Sequence, residues 1–195
     1  MDSNLPVISN EEVVLLDSSG NACGTMDKSR VHSMNTPLHS AFSIFLFDEQ
    51  GQMLTQQRAR SKHTWPGVWS NACCGHPAPG ECHIDAATRR LNEELGITKI
   101  DLTMALPNFR YQAIHQGIME NEICPVLIGF CKSNQTVTPN KAEVEAVQWV
   151  SWRTFFNACE NPQNTAFEDF SPWSLMEGRL LKATPWITQL LKKTA

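Results

Sequence analysis

Two histidines and two glutamates in separate parts of the chain have the residue types of a divalent metal site. His32 and His39 are seven positions apart with Pro37 between them, so they can converge on one ion only if the chain turns. Glu120 and Glu122 lie two apart in an otherwise apolar segment, and on a strand they project from the same face. Two buried carboxylates are costly unless they share a cation or a proton. Structural histidines and a solvent-facing strand edge are the competing interpretations.

A loop rich in Trp, Gly and Pro carries a third histidine, His76, and two adjacent cysteines, Cys73 and Cys74. With His76, the candidate set contains three imidazoles and two carboxylates, a mixture that suits Zn²⁺, Mn²⁺ or Fe²⁺. A buried, inert thiol is the commoner fate of a cysteine such as Cys74. A nucleophile of the hydrolase type would need a base and an oxyanion hole, and the sequence has no GxSxG elbow, P-loop or Rossmann pattern.

Four cationic side chains lie outside any regular charge run: Lys28, Arg58, Lys62 and Arg90. Arg58 and Lys62 lie where a predicted strand ends and leads into the Trp-rich loop. Arginine makes forked contacts and lysine acts as a point charge, so together they suit a diphosphate. A solvated surface position is the default for any one of them. A neighbouring Mg²⁺ site would favour the joint interpretation.

One helix after this loop is predicted to position part of the set. A stripe with a 3.6-residue period comprises Ile84, Ala87, Thr88, Leu91 and Leu95. Gly96 follows the stripe, where a left-handed residue is expected to end a helix. Arg90 and Glu94 lie four apart on the flank of the stripe, so we expect them to face a neighbouring cleft.

The rest of the chain is predicted to be mainly β-structure. Predicted strands cover 13–17, 23–26, 42–47, 52–58, 109–113, 118–123, 126–131 and 144–152. Pro125 marks a bulge or an edge, and the segment 28–37 reads as irregular. Predicted helices cover 153–159, 173–180 and 186–191, the second of them starting from Ser171 and Pro172. This order predicts the α+β class, with a mixed sheet between helical layers.

Composition limits the classes of protein to consider. The chain has 195 residues, 42% hydrophobic and 18% charged, so we expect one globular domain over 11–195 after a flexible lead-in over 1–10. A net charge of −4 gives no global attraction to nucleic acid or anionic membranes. The polar start and the lack of a long apolar run predict neither a signal peptide nor a membrane span. Seven cysteines without CxxC spacing favour a reduced, cytoplasmic protein over a disulfide framework or zinc ribbon.

The helix and the loop before it resemble the Nudix box, Gx5Ex7REUxEExGU, where U is aliphatic. The matching positions are Gly75, Glu81, Arg89, Leu91, Glu93, Glu94, Gly96 and Ile97. The single departure is Arg90, which stands where the box has a glutamate. In such a box the loop-to-helix turn presents amide dipoles, and nearby carboxylates collect Mg²⁺ for a diphosphate. The competing interpretation is an amphipathic helix with solvated charges.

Longer motifs across residues 13–191 resemble the type I isopentenyl-diphosphate isomerases. These motifs are HSMNTPLHSAF, QQRARSKHTWPGVWSNACCGHP, the altered Nudix box, FRYQA, ENEICPV and FSPW, in that order. The resemblance implies a Nudix fold with N- and C-terminal elaborations. It also implies interconversion of isopentenyl and dimethylallyl diphosphate through a tertiary carbocation, in isoprenoid biosynthesis. Members of this family do not hydrolyse the diphosphate, and Arg90 in place of a hydrolytic glutamate is consistent with that.

The resemblance further implies a role for each matching residue. The intrinsic divalent metal, Mn²⁺, Zn²⁺ or Fe²⁺, is assigned to His32, His39, His76, Glu120 and Glu122. Mg²⁺ arriving with the substrate is assigned to Glu94 and the backbone carbonyl of Cys74. The diphosphate contacts are assigned to Lys28, Arg58, Lys62 and Arg90. Cys74 and Glu122 match the proton-transfer pair, Tyr111 the hydroxyl that supports the glutamate, and Trp173 an aromatic wall over the hydrocarbon. No flavin is implied.

Two other functions stay open at this point. A Nudix hydrolase of nucleoside diphosphate derivatives would share the box but leaves His32, His39, Cys74 and Glu122 unexplained. A metal- or diphosphate-binding module without chemistry would predict a disrupted acid/base pair, whereas both members are present. The expected partner is a small-molecule diphosphate, with no nucleic acid and no membrane, and the chain is expected to be a monomer or a weak homodimer.

Overall fold

The computed structural model describes residues 11–161, 167–185 and 187–188. The first half of the chain contains β1 (Glu12–Leu16), β2 (Ala22–Asp27), α1 (Lys28–Val31), β3 (His39–Ser40), β4 (Phe42–Asp48), β5 (Gln52–Arg58), β6 (Trp69–Ser70), β7 (Cys73–Gly75) and α2 (His83–Leu95). The second half contains β8 (Leu102–Leu106), β9 (Arg110–His115), β10 (Ile118–Ile123), β11 (Val126–Cys131), β12 (Val144–Ser151), α3 (Trp152–Glu160) and α4 (Pro172–Lys182). The predicted lead-in over 1–10 and most of the predicted helix over 186–191 lie outside the described residues.

The strands form two sheets. The larger sheet has the order β12-β5-β4-β11-β8, with β6 paired to β5 and β7 paired to β4. This sheet is mixed, because β4 and β11 run parallel while β4 and β5 run antiparallel. The smaller sheet has the order β2-β1-β3-β10-β9, in which β3 and β10 are parallel. The predicted α+β class with a mixed sheet is confirmed, and the division into two sheets was not predicted.

Strand β4 separates two hydrophobic cores. Every residue of β4 is buried, as its dense apolar run allows. Phe42, Ile44 and Leu46 pack in the core that contains α2. Phe45 and Phe47 pack in the other core, with side chains of α3 and α4. Because successive strand residues face opposite sides, the larger sheet lies between helical layers, as the sequence predicted.

Helix α2 ends where the sequence predicted, but its buried face differs from the prediction. Gly96 caps the helix with φ 65°, a left-handed conformation that costs glycine little. The buried helix residues are Ala86, Ala87, Arg90, Leu91, Glu94 and Leu95. Ile84 is 43% exposed and Thr88 is also exposed, so the predicted stripe was wrong at these two positions. The buried face is turned toward Arg90 and Glu94, because opposite charges that pair with each other can be buried together.

Several local predictions were confirmed, and others missed short elements. The strands predicted over 13–17 and 23–26 are present as β1 and β2 and pair antiparallel, and the register of β11 shifts directly after Pro125. Strand β8 and the single helical turn α1 were not predicted, because neither segment is long enough to show a clear period. Asp27 caps α1 by accepting a hydrogen bond from Ser29 N. Within the described ranges, none of the helices has both the length and the hydrophobicity that crossing a membrane requires.

Candidate functional site

A cavity of about 520 Å³ brings the predicted site residues together. Its lining comes from both sheets, from α1, α2 and α4, and from the loop that follows β5. The predicted residues that line it are Lys28, His32, Arg58, Lys62, Cys74, His76, Arg90, Glu94, Tyr111, Glu120, Glu122 and Trp173. His39 is the exception: it is fully buried, with Nε2 at 3.3 Å from Glu122 Oε1.

Three imidazole rings meet where the two sheets adjoin. The ring centroid of His32 lies 5.2 Å from that of His39 and 5.6 Å from that of His76. The centroids of His39 and His76 lie 5.1 Å apart. The turn required between His32 and His39 is present, because α1 ends at Val31 and β3 begins at His39. The parallel pairing of β3 with β10 then places His39 directly opposite Glu122. One ligand atom from each histidine and from Glu122 lies within 4.8 Å of the others.

Glu120 and Glu122 share the buried face of β10. Glu120 is 4% exposed and Glu122 is 6% exposed, so the solvent-facing edge is the wrong interpretation for both. Glu120 Oε2 lies 2.9 Å from His32 Nε2, and Glu122 Oε1 lies 3.2 Å from His76 Nε2. On its other oxygen, Glu122 accepts a hydrogen bond from the Tyr111 hydroxyl at 2.8 Å. Tyr111 is positioned by the sheet, since it lies directly opposite Glu122 on the antiparallel strand β9.

The hydrogen bonding of this His/Glu cluster is incomplete in a way that fits a cation. His39 Nδ1 donates to the Pro37 carbonyl at 2.9 Å, which leaves the Nε2 lone pair directed elsewhere. His39 Nε2 and Glu120 Oε2 are buried, and the described residues give neither a well-formed hydrogen bond. A divalent metal would satisfy both atoms, and imidazoles with carboxylates suit Zn²⁺, Mn²⁺ or Fe²⁺. The cluster could therefore hold a divalent metal.

The protonation states around the cluster follow from burial and neighbouring groups. Burial lowers the pKa of His76 to about 4, so its imidazole is neutral, the form that binds a metal. Burial opposes the ionisation of Glu122, but the adjoining imidazoles of His39 and His76 outweigh it and hold the pKa of Glu122 well below its usual range. Burial and then the charge of Glu122 raise the pKa of Tyr111 well above its usual range. Tyr111 is therefore a phenol that donates to a carboxylate.

Cys74 lies on β7 and faces the cavity from the larger sheet. Its sulfur donates a hydrogen bond to Asn71 Oδ1 at 3.5 Å and lies 3.5 Å from Ser43 Oγ. Burial, followed by the charge that Glu177 carries when it is ionised, raises the pKa of Cys74 to about 12. The resting side chain is therefore a thiol, a point that the sequence left open.

Aromatic rings close another side of the cavity. Trp173 is 4% exposed and lies in the first turn of α4, which Ser171 caps as predicted. Its ring lies 5.6 Å from that of Tyr111, and it meets Trp65 edge to face at 5.1 Å. Trp65 was not predicted as a site residue. It adopts φ 50°, a left-handed conformation that tryptophan rarely adopts, which only its TWPG context hinted at.

Most of the cationic side chains that line the cavity already have acidic partners. Lys28 Nζ lies 2.5 Å from Glu11, and Lys62 forms an ion pair with Glu143. Arg58 instead donates to the Thr64 carbonyl, at 3.2 and 3.1 Å. Sequence reasoning missed Glu11 and Glu143, because each is a single glutamate in a segment without a motif.

Arg90 and Glu94 form a buried ion pair that lines the cavity. Arg90 Nε and NH2 lie 3.1 and 2.5 Å from Glu94 Oε1. The second oxygen of Glu94 accepts a hydrogen bond from Gln56 Nε2 at 3.0 Å. Arg90 NH2 also lies 3.5 Å from Glu143 Oε2. The expectation that Arg90 and Glu94 face a cleft is confirmed, since both line the cavity.

The chain is similar in sequence to a known domain family and to several known proteins. The NUDIX domain family matches residues 37–170, more than half of the chain. The isopentenyl-diphosphate Delta-isomerase of Saccharopolyspora erythraea is 51% identical over 164 residues, which cover 84% of this chain and 81% of that protein. The enzyme of the same name from Klebsiella pneumoniae subsp. pneumoniae is 40% identical over 184 residues, covering 94% and 97%.

Solved structures agree on the fold. DR0079 from Deinococcus radiodurans superimposes with a TM-score of 0.60 at 17% identity, covering 77% of this chain and 89% of that chain. A C. elegans Ap4A hydrolase superimposes with a TM-score of 0.53 at 19% identity, covering 79% and 98%. At such low identity these structures show the Nudix fold alone. Taken with the sequence relatives, they show that this chain belongs to the isopentenyl-diphosphate Delta-isomerase family of NUDIX domain proteins.

Proposed function

We propose that the protein interconverts isopentenyl diphosphate and dimethylallyl diphosphate by adding a proton at one end of the allylic unit and removing another. The observation that carries this proposal is the shared cavity of Cys74 and Glu122, which also holds the His/Glu cluster and the four cationic side chains. A hydrolase needs no such thiol and carboxylate pair beside a diphosphate site.

The reaction needs two acid/base groups, because the alkene gains a proton at one carbon and loses a different proton elsewhere. Cys74 and Glu122 belong to different sheets and line one cavity, which suits action on two sides of a flat allylic group. One group gives a proton while the other takes one, and the reverse reaction exchanges their roles. The Tyr111 hydroxyl holds the Glu122 carboxylate by its 2.8 Å hydrogen bond and can share the proton that Glu122 gains.

We propose that His32, His39, His76, Glu120 and Glu122 hold the intrinsic divalent metal, which can be Mn²⁺, Zn²⁺ or Fe²⁺. When bound, such a metal supplies a fixed positive charge that keeps Glu122 in place and balances the buried carboxylates. His39 Nε2 and Glu120 Oε2 support this assignment, because both are buried and neither forms a well-formed hydrogen bond with the described residues. The chemical steps themselves are left to Cys74, Glu122 and Tyr111.

The substrate diphosphate is proposed to bind at the cationic end of the cavity. Lys28, Arg58, Lys62 and Arg90 supply its contacts, and Mg²⁺ bound with the diphosphate is assigned to Glu94 and the Cys74 carbonyl. Guanidinium groups match phosphate geometry in a forked manner, which suits Arg58 and Arg90. No flavin is needed for a proton shift. A monomer or weak homodimer, and a cytoplasmic location, stay predictions.

Aromatic residues suit the cationic intermediate that protonation of the alkene creates. A tertiary carbocation reacts with water, so the hydrocarbon must be enclosed. Trp173 is almost fully buried and packs against Tyr111 and Trp65, so its position is fixed before substrate arrives. A desolvated cation over a tryptophan face gains about 2 kcal/mol, which lowers the barrier without strengthening binding of the neutral alkene.

Arg90 distinguishes this proposal from a Nudix hydrolase. It stands where the Nudix box has a glutamate and pairs with Glu94 at 2.5 Å, so one acidic box position is lost and the carboxylate of a second is shared with an arginine. That arrangement favours holding a diphosphate over cleaving it.

The deciding experiment is proton NMR of the purified protein with Mg²⁺ and isopentenyl diphosphate in D₂O. We expect dimethylallyl methyl signals to grow, with deuterium in the product and no free phosphate. The variants Cys74→Ala and Glu122→Gln should abolish turnover while diphosphate binding persists. Unchanged substrate, together with phosphate or nucleotide release from nucleoside diphosphate derivatives, would instead establish a hydrolase.

A further inference from the structure

One buried carboxylate near the thiol is not used by the proposed reaction. Glu177 lies on α4, four residues after Trp173, and is 0% exposed. Its Oε2 lies 2.8 Å from Ser43 Oγ, and its Oε1 has no hydrogen-bond partner among the described residues. A buried carboxyl group with a single partner is costly, and costlier still when ionised. Such a group calls for an explanation.

Ser43 connects this carboxyl group to Cys74. The antiparallel pairing of β4 with β7 places Ser43 directly opposite Cys74, with Ser43 Oγ at 3.5 Å from the sulfur. Asn71 Nδ2 donates to Ser43 Oγ at 2.8 Å and so occupies one of its two lone pairs. The hydroxyl keeps one proton to donate and one lone pair to accept. The Ser43 hydroxyl can therefore accept a hydrogen bond from Glu177 while it donates one to the Cys74 sulfur. It can equally accept one from the Cys74 thiol while it donates one to Glu177.

The protonation state of Glu177 suits a donor. Burial raises the pKa of Glu177 well above its ordinary value, the hydrogen bond from Ser43 opposes this, and the negative charge of Glu122 adds to it. Burial and the charge of Glu122 therefore favour the protonated form of the carboxyl group. A protonated Glu177 donates to Ser43 Oγ, which frees the Ser43 hydroxyl to donate to the sulfur. An ionised Glu177 accepts from Ser43, and the thiol then donates to Ser43 or Asn71.

We propose that Glu177 is a positioning residue for Cys74, which orients the thiol and returns a proton to it through the Ser43 hydroxyl. This inference rests on the proposed isomerase function. When the thiol gives its proton to the alkene carbon, the S–H bond breaks and a thiolate remains. The sulfur takes the Ser43 proton while Ser43 Oγ takes the Glu177 proton, so the negative charge moves to Glu177. Once the product leaves, Glu177 regains a proton from water by the same path, and Glu122 releases the one it gained.

Glu177→Gln is the decisive variant, because glutamine keeps the size of the side chain and can still hydrogen-bond Ser43 but cannot transfer a proton. A positioned proton transfer contributes about 10²–10⁴-fold, so we expect kcat to fall by about 10²-fold with KM unchanged. Ser43→Ala should cause a similar fall, and the double variant should be no slower than the slower single variant. Thr55→Val is the matched control, since it removes an equally buried hydroxyl that bonds the Gln148 carbonyl.

A second measurement separates proton transfer from packing. In mixtures of H₂O and D₂O, wild-type kcat should depend on the deuterium fraction along a curve, because more than one proton moves. The dependence for Glu177→Gln should become linear. Wild-type protein that does not isomerise isopentenyl diphosphate would overturn the proposed function itself. Wild-type protein that isomerises, with near-normal kcat in Glu177→Gln or Ser43→Ala, would overturn the relay alone, as would additive losses in the double variant.

Discussion

Replacing Arg90 with methionine tests whether the buried pair on α2 is a structural requirement as well as a diphosphate contact. The substitution removes two contacts to Glu94 Oε1, at 3.1 and 2.5 Å, and leaves Glu94 with Gln56 as its hydrogen-bond donor. Both charges are almost fully buried, so one unpaired carboxylate would remain in a poorly solvated site. Removing one partner of a buried pair costs about 3–5 kcal/mol. Total stability is typically about 5–15 kcal/mol, so the loss is large.

Urea denaturation at neutral pH measures this change as a shift in the unfolding midpoint. Glu93→Gln is the matched control, because Glu93 pairs with the same arginine at 3.0 Å but is exposed, and such pairs contribute about 0–1 kcal/mol. The double variant Arg90→Met/Glu94→Leu should recover most of the lost stability, since an apolar pair replaces the buried charges. A loss below about 1 kcal/mol in Arg90→Met, equal to that of the control, would refute the argument that Glu94 depends on Arg90.

Three further predictions concern the cluster and the box. Tyr111→Phe removes a hydrogen bond to a charged group worth about 1.5–3 kcal/mol, so kcat should fall by about 10- to 100-fold while KM holds; a twofold change would contradict it. Hydrogen bonds from Arg89 lower the pKa of Glu81 in the folded protein below its usual value of 4.5. The ionised carboxylate therefore stabilises the fold above pH 4.5, and this stabilisation is lost as the pH falls through the lower pKa of the folded state. Glu81→Gln should therefore lower Tm at pH 7, and this loss should shrink as the pH is lowered below 4.5. Dialysis against a strong chelator should release one divalent ion per chain and lower Tm; Tm unchanged by metal removal would count against the cluster.

The sequence predicted those parts of the site that depend on local pattern. The Nudix-like spacing located α2 and its cap at Gly96, and the two-residue spacing placed Glu120 and Glu122 on one strand face. It did not predict that His39 would lie opposite Glu122, because that depends on a parallel pairing between strands far apart in the chain. The sequence placed Arg90 on the flank of the apolar stripe of α2. The reason is that a periodicity of apolar residues gives no sign of an ion pair that is buried.

Residues that position other site residues are not marked by any sequence motif or period. Glu177 lies in a helix whose apolar residues already predict an amphipathic helix without it. Only the folded chain shows that its carboxyl group lies 2.8 Å from Ser43 Oγ. Trp65 supports Trp173 from a loop whose conformation is set by tertiary packing. Glu143 comes from the segment before β12 and reaches both Lys62 and Arg90 across the cavity. Each of these contacts joins residues between 53 and 134 positions apart, beyond any local period.

The acidic partners of the cationic side chains have a consequence for substrate binding. Glu11 and Glu143 hold Lys28, Lys62 and Arg90 in place before any ligand arrives, which lowers the entropy lost when a diphosphate binds. The same carboxylates compete with the diphosphate for those side chains and repel its charge. Mg²⁺ bound to the diphosphate would offset that repulsion. Its positive charge would also attract the carboxylates that the diphosphate displaces from the cationic side chains. We therefore expect the cavity to bind a metal-bound diphosphate in preference to a free one.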